Sequence, residues 1–266
     1  MYDSFNRKIN YLRISVTDRC NLRCEYCMPE NGVKQLMHHD ILTFEEIIEF
    51  TKVAIENGIN KVRITGGEPL VRKNVVQLVA MLAQLKGIDD LSMTTNAILL
   101  EEYAEALAKA GLQRINISLD TIDEAKFKTL TRGGDIKHLF RGIEAAIKHG
   151  FNPIKINCVI DNSSDEPDAI AVKNYGIQHG LEVRFIKLMN LHKGVFSIVE
   201  GGNGGDCKIC NRLRLTADGM LKPCLFSNNQ YSIKTLGYKQ AIEKAIYEKP
   251  KCGNTNNTNE FVNIGG

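Results

Sequence analysis

The sequence predicts an α/β chain built on a parallel sheet, and three observations carry that expectation. Short β-branched runs alternate six times with amphipathic helical stretches. The chain of 266 residues is long enough for one large core, or one core plus a small appendage. No run of about 18 or more apolar residues interrupts the alternation. Successive strand–helix–strand units cross over right-handedly, which gives a parallel sheet, either doubly wound or curled into a partial barrel. In both arrangements ligand sites gather at the carboxyl ends of the strands.

Residues 11–16, 61–65, 90–95, 114–119, 153–160 and 182–188 read as the strands. Between the first two, Phe44, Ile47, Ile48 and Ile55 form one apolar face behind Thr43. Glu46, three residues on, completes a capping-box signature. Further helical periodicity covers 74–85, 100–110, 123–130, 136–149 and 167–179. The pattern breaks after Met189, where Gly201, Gly202, Gly204 and Gly205 lead into a cysteine-rich stretch. That break divides the chain into residues 1–190 and 191–266. Within the second part, 212–216 and 220–226 flank Ala217-Asp218-Gly219, a hairpin signal. A last helix is expected over 238–248, and the polar stretch 254–259 reads as mobile.

A net charge of +3, without a long basic run, offers no footprint for nucleic acid or a membrane surface. The first eight residues lack the apolar centre of a secretory signal, so the expected location is the cytoplasm. Eight cysteines in a reducing compartment then read as metal or redox chemistry rather than as a disulfide framework. Six fall into two triplets: Cys20, Cys24 and Cys27, then Cys207, Cys210 and Cys224. Cys158 sits in an apolar strand-like run as a buried thiol, and Cys252 is left over. A structural zinc takes four protein ligands, usually in paired spacing. Three thiolates on one short loop instead suit a 4Fe-4S cluster with one iron open to a small molecule.

The loop Cys20-Asn21-Leu22-Arg23-Cys24-Glu25-Tyr26-Cys27 resembles the signature of radical S-adenosylmethionine (SAM) enzymes, and Gly66-Gly67-Glu68-Pro69 is similar to their GGEP segment. The resemblance implies that the open iron chelates SAM and that its reductive cleavage yields a radical that abstracts hydrogen from the substrate. It implies SAM contacts at Tyr26, Gly67, Ser118 and Met189. The second triplet resembles that of a narrower family, the GTP 3′,8-cyclases of molybdenum-cofactor biosynthesis. Matches run from Leu12-Arg13-Ile14-Ser15 through Val62-Arg63-Ile64-Thr65, Thr94-Thr95-Asn96, Lys155-Ile156-Asn157 and Arg184-Phe185-Ile186 to the run from Cys210 to Gly219.

That likeness implies an incomplete (β/α)6 barrel, with a second 4Fe-4S cluster on Cys207, Cys210 and Cys224 that binds the guanine of GTP. It assigns GTP contacts to Arg13, Arg63, Thr94, Lys155, Arg212, Leu213 and Arg214, and a catalytic role to the tail glycines Gly265 and Gly266. The implied product is (8S)-3′,8-cyclo-7,8-dihydroguanosine 5′-triphosphate. Implied partners are flavodoxin or ferredoxin as electron donor, a downstream cyclic pyranopterin monophosphate synthase, and a second copy in a homodimer. A radical SAM enzyme modifying a peptide or another small molecule, and a non-catalytic metal-cluster protein, are the alternatives. The chain departs from the family pattern in a shortened segment 190–206, in Lys187 and Asn190, and in Ala97, which follows Thr-Thr-Asn where glycine is customary.

Overall fold

The computed structural model describes residues 1–264; the expectation for Gly265 and Gly266 lies outside the described residues. Six parallel strands form first: β1 (Tyr11–Ser15), β2 (Lys61–Thr65), β3 (Asp90–Thr95), β4 (Arg114–Ser118), β5 (Ile154–Ile160) and β6 (Glu182–Lys187). They lie side by side in chain order, with β1 and β6 far apart among the described strands. A doubly wound sheet reverses its strand order midway. Monotonic order without closure makes this an incomplete (β/α)6 barrel, as expected.

The helices between the strands are α1 (Phe44–Glu56), α2 (Val75–Ala83), α3 (Leu100–Lys109), α4 (Glu124–Leu130), α5 (Ile136–Lys148) and α6 (Pro167–Gln178). At the start of α1, Thr43 Oγ1 accepts from Glu46 N at 3.1 Å and Glu46 Oε2 accepts from Thr43 N at 2.7 Å, so the capping box forms. Strand alternation sorts the residues onto two faces. Leu12, Ile14, Val62, Ile64, Met93, Ile115, Ile117, Ile156 and Cys158 are buried in the main core. The opposite parity on the same strands carries Arg13, Arg63, Arg114, Asn157 and Arg184, which line an internal cavity.

Beyond Met189 the expected hairpin forms as β7 (Arg212–Leu215) and β8 (Met220–Lys222), followed by β9 (Tyr231–Ser232). It continues the same sheet, because β7 pairs in parallel with β1 while β8 and β9 add antiparallel strands outside it. Three further helices are α7 (Ile233–Leu236), α8 (Tyr238–Tyr247) and α9 (Phe261–Ile264). The stretch 254–259, expected to be mobile, is docked at its middle. Asn256 is fully buried, its amide donates to Leu191 O at 2.8 Å and its side chain to Leu225 O at 2.9 Å. Polar composition misled here because the asparagine spends its polarity on backbone groups of neighbouring loops.

Candidate active site

The first triplet follows β1 on a loop braced against the double glycine that follows β2. Gly67 N donates to Thr17 O at 2.7 Å and Glu68 N to Arg19 O at 2.8 Å. A β-carbon on Gly67 would stand 2.3 Å from Arg19 O, and one on Gly66 2.8 Å from Thr17 O. Their missing side chains make room for the cysteine loop. Glu68 is buried and accepts from Leu70 N at 3.0 Å, Thr95 Oγ1 at 2.8 Å and Asn96 N at 2.7 Å. Burial pushes its carboxyl up to about 7. Asn96 then donates to Asn21 Oδ1 at 2.8 Å and to Cys20 Sγ at 3.7 Å, so Glu68 is tied through Asn96 to Cys20.

Burial raises all three thiols, Cys20 to about 11 and Cys27 to about 12, and the neighbouring thiols push Cys24 and Cys27 further up. Soft sulfur donors that oppose ionisation in the bare protein fit a cationic iron centre, which offsets their charge. Among the described residues, no three His, Cys, Asp or Glu side chains converge as they would on a single metal ion. In a 4Fe-4S cluster each thiolate binds its own iron. Tyr26 donates to Asp120 Oδ2 at 2.8 Å, while Asp120 Oδ1 accepts from Val159 N at 2.8 Å. Burial lifts Asp120 to about 6. Ser118 ends β4 opposite Asn157, and Met189 lies beyond β6 on the cavity wall. Ala97, at the departure from the glycine pattern, has φ 62° and a fully buried side chain, which explains why glycine suits this position.

The second triplet sits at the other end of the barrel. Tyr11 is in register with Arg212, so Cys210, two residues earlier, stands beside the amino end of β1. Cys20 follows the carboxyl end of that strand. Five strand residues span about 16 Å, and the expectation that all the chemistry gathers at the carboxyl ends covers only the first triplet. Between the two ends lies a cavity of about 450 Å³, reaching Cys207, Cys210 and Cys224 and walled on one side by 196–206.

Its inner face is cationic. Arg13 is in register with Arg63 on one side and Arg214 on the other, so three guanidinium-bearing residues stand abreast on adjacent strands. Among the described residues, eight Lys and Arg line the cavity against two carboxylates, and one of those, Asp90, is held by Arg114 at 2.6 Å. Burial lowers Arg13 well below its usual value, helped by Arg214 and Arg63, and brings Arg214 down to about 10, helped by Arg212. Tyr11 Oη, Arg184 Nε and Ser197 Oγ are buried on the cavity wall without a hydrogen-bond partner among the described residues. Burial alone would raise Cys210, but Lys249, Arg212 and Arg214 outweigh it and leave the thiol lowered. The donor set and its cations thus fit an anionic cluster beside a polar, anionic ligand.

Of the expected GTP contacts, Arg13, Arg63, Arg212 and Arg214 line this cavity. Thr94 and Lys155 are not among its lining residues, and Lys155 is paired with Glu182. Leu213 is 1% exposed in the core, which leaves only its backbone to meet a ligand. Lys61, Arg114, Arg184 and Lys249 were missed as site residues. Strand parity with Arg13 and Arg63 was the available signal for the first three; Lys249 gave none, because a helix end brings it in.

Residues 14–171 match the Radical SAM superfamily. A GTP 3′,8-cyclase of Alkaliphilus metalliredigens (strain QYMF) is 42% identical over 275 residues, covering 88% of this chain and 86% of its own. That of Thermodesulfovibrio yellowstonii is 38% identical, covering 94% of this chain and 95% of its own. The second alignment extends over 307 residues, more than this chain possesses, so the relative carries segments absent here. Among solved structures, Streptococcus suis SuiB superposes with a TM-score of 0.67 at 16% identity, covering 92% of this chain and 68% of that one. Native anSMEcpe with bound AdoMet gives 0.64 at 15% identity, covering 91% and 81%. These two likenesses speak to the fold; the identity to the curated cyclases, across almost the whole length of both partners, places this chain in the GTP 3′,8-cyclase family of the radical SAM superfamily.

Proposed function

We propose that the chain is a radical SAM GTP 3′,8-cyclase acting in molybdenum-cofactor biosynthesis. The observation that carries the reading is the row Arg214, Arg13 and Arg63, set abreast on three adjacent strands inside a cavity that ends at the second cysteine triplet. Like charges on adjacent strands repel. An array of this kind is stabilised when a polyanion occupies it, and arginine's fork suits phosphate oxygens. A nucleoside triphosphate supplies that charge and carries a base to reach the thiol end.

Cys20, Cys24 and Cys27 would hold one 4Fe-4S cluster and Cys207, Cys210 and Cys224 the other, with SAM beside Tyr26, Gly67, Ser118 and Met189. When bound, the first cluster and SAM supply the one-electron chemistry that removes a hydrogen atom from the ribose. The chain's own residues do the positioning. Arg13, Arg63 and Arg214 hold the triphosphate, Arg212 and the backbone of Leu213 face the base, and Arg184 offers a buried N–H that no other described residue accepts. The segment 196–206 walls the cavity and excludes water, which strengthens each charged contact. Glu68 and Asn96 fix the loop that carries Cys20. Gly265 and Gly266 are assigned to the catalytic tail by motif alone, Thr94 and Lys155 to substrate binding on the same ground. Flavodoxin or ferredoxin as reductant, a downstream cyclic pyranopterin monophosphate synthase, a homodimer and a cytoplasmic location belong to the same proposal. Among the described residues no helix is long and apolar enough to cross a membrane.

The test is anaerobic reconstitution with iron and sulfide, incubation with SAM, dithionite and GTP, and mass spectrometry of the products. Formation of 5′-deoxyadenosine together with a cyclised isomer of GTP supports the reading. Cleavage of SAM without any change in GTP overturns it in favour of another substrate.

A further inference from the structure

The cysteine left over from the second triplet is brought to it by the fold. Cys252 Sγ lies 3.0 Å from Cys207 Sγ, although 45 residues separate them in sequence. The approach is anchored on both sides of Cys252. Arg7 donates to Cys207 O at 2.7 Å, to Lys251 O at 3.0 Å and to Pro250 O at 2.7 Å, so one guanidinium clamps the two cysteine segments together. That guanidinium is itself fixed by buried Asp3 at 2.6 Å. After Cys252, a β-carbon on Gly253 would stand 2.7 Å from Phe226 Cβ and 3.3 Å from Cys224 Sγ, and Asn254 N donates to Phe226 O at 2.9 Å. The segment is therefore seated against the centre, with the Cys252 side chain exposed.

Cys207 faces two spaces. It lines the cationic cavity on the inside and, with Cys252, an outer hollow of about 520 Å³ bordered by Phe5, Ile198, Lys208 and Lys251. The remaining members of the triplet, Cys210 and Cys224, line only the inner cavity of these two. A reagent in the outer hollow thus meets Cys252 and Cys207, and neither of the other ligands.

We propose that Cys252 is a thiol–disulfide exchange site that pairs with Cys207 in the cluster-free chain and withholds one ligand from the second centre. The oxidant is a small-molecule disulfide such as oxidised glutathione. Cys252, having given up its proton, attacks one sulfur of that disulfide; the S–S bond breaks, and the first glutathione leaves as a thiolate that takes up a proton. Cys207 then attacks the Cys252 sulfur, forming the protein disulfide and expelling the second glutathione. Two protein thiols are oxidised, one disulfide is reduced to two thiols, and two protons pass from protein to glutathione. The sulfurs need to close by about 1 Å to reach bonding distance, a shift within the freedom of an exposed side chain. The disulfide stands on its own geometry; its effect on iron binding rests on the reading that the second triplet holds a cluster.

The experiment takes the full-length cluster-free chain, treats it anaerobically with oxidised glutathione, and compares wild type with Cys252→Ser. Intact-mass measurement of the wild type should show loss of two hydrogens, and peptide mapping should join the segments bearing Cys207 and Cys252. Reconstitution should then load half the iron of the reduced protein, with full loading restored by dithiothreitol and retained throughout by Cys252→Ser. Persistent glutathionylation of Cys252 without a link to Cys207, a bond from Cys207 to another cysteine, or full loading of the oxidised wild type overturns the proposal. Failure of the reduced wild type to take up a second cluster would instead refute the cluster assignment, and the mass result would remain interpretable.

Discussion

Arg212 and Arg214 follow Cys210 on β7, two residues apart and so on the same face of the strand. A charge-assisted contact to a bound anion is worth roughly 1.5 to 3 kcal/mol, so Arg212→Ala and Arg214→Ala should each weaken GTP binding about tenfold to a hundredfold by calorimetry. Glu68 gives a prediction of a different kind. Its carboxyl is raised from an ordinary 4.5 to about 7 by burial, so between those values the folded chain binds more protons than the unfolded one. Stability therefore falls as pH rises from about 4.5 to 7. Glu68→Gln should flatten that slope in denaturant titrations of the cluster-free protein, and an unchanged slope would contradict the burial argument. The sequence showed Arg13, Arg63, Arg212 and Arg214 through motif likeness. It did not show Glu68 reaching Asn96, or Arg114 and Arg184 sharing their cavity, because those relations depend on which strands become neighbours.

At the scale of elements, the six strands and the helices between them were legible to within a few residues, since period-two and helical patterns are local. Lys61–Thr65 and Asp90–Thr95 form with the expected bounds. The hairpin was legible too, from Ala217-Asp218-Gly219. Its partner was not: nothing local says that β7 will lie parallel to β1, yet that pairing carries the second triplet to the amino end of the barrel. Lys249, just past α8, helps lock the hairpin there. It is buried and donates to Arg212 O at 2.8 Å and to Pro223 O, joining the approach to β7 with the exit from β8. Lys249→Met removes both donors and leaves two carbonyls to find other partners. A stability loss of about 3 kcal/mol is expected from chemical denaturation, together with weaker iron retention at the second centre and unaltered retention at the first.

For the whole molecule, the two triplets lie at opposite ends of β1, too far apart to complete one another. Reconstituted protein should carry roughly eight irons, two clusters of four, measured by iron and sulfide analysis. Their duties should separate: Cys24→Ala should abolish reductive SAM cleavage, whereas Cys210→Ala should retain it and lose GTP turnover. Equal SAM cleavage by both variants would refute the assignment of the first cluster. The open barrel has a further consequence at its free margin. A bare strand edge is a template for another chain. Along β6, Phe185 exchanges two backbone hydrogen bonds of 3.0 Å with Glu200, contributed by the short return segment. Glu182, Arg184 and Lys187 add charge to the same strand. The segment that walls the cavity is therefore also a guard against strand-to-strand aggregation.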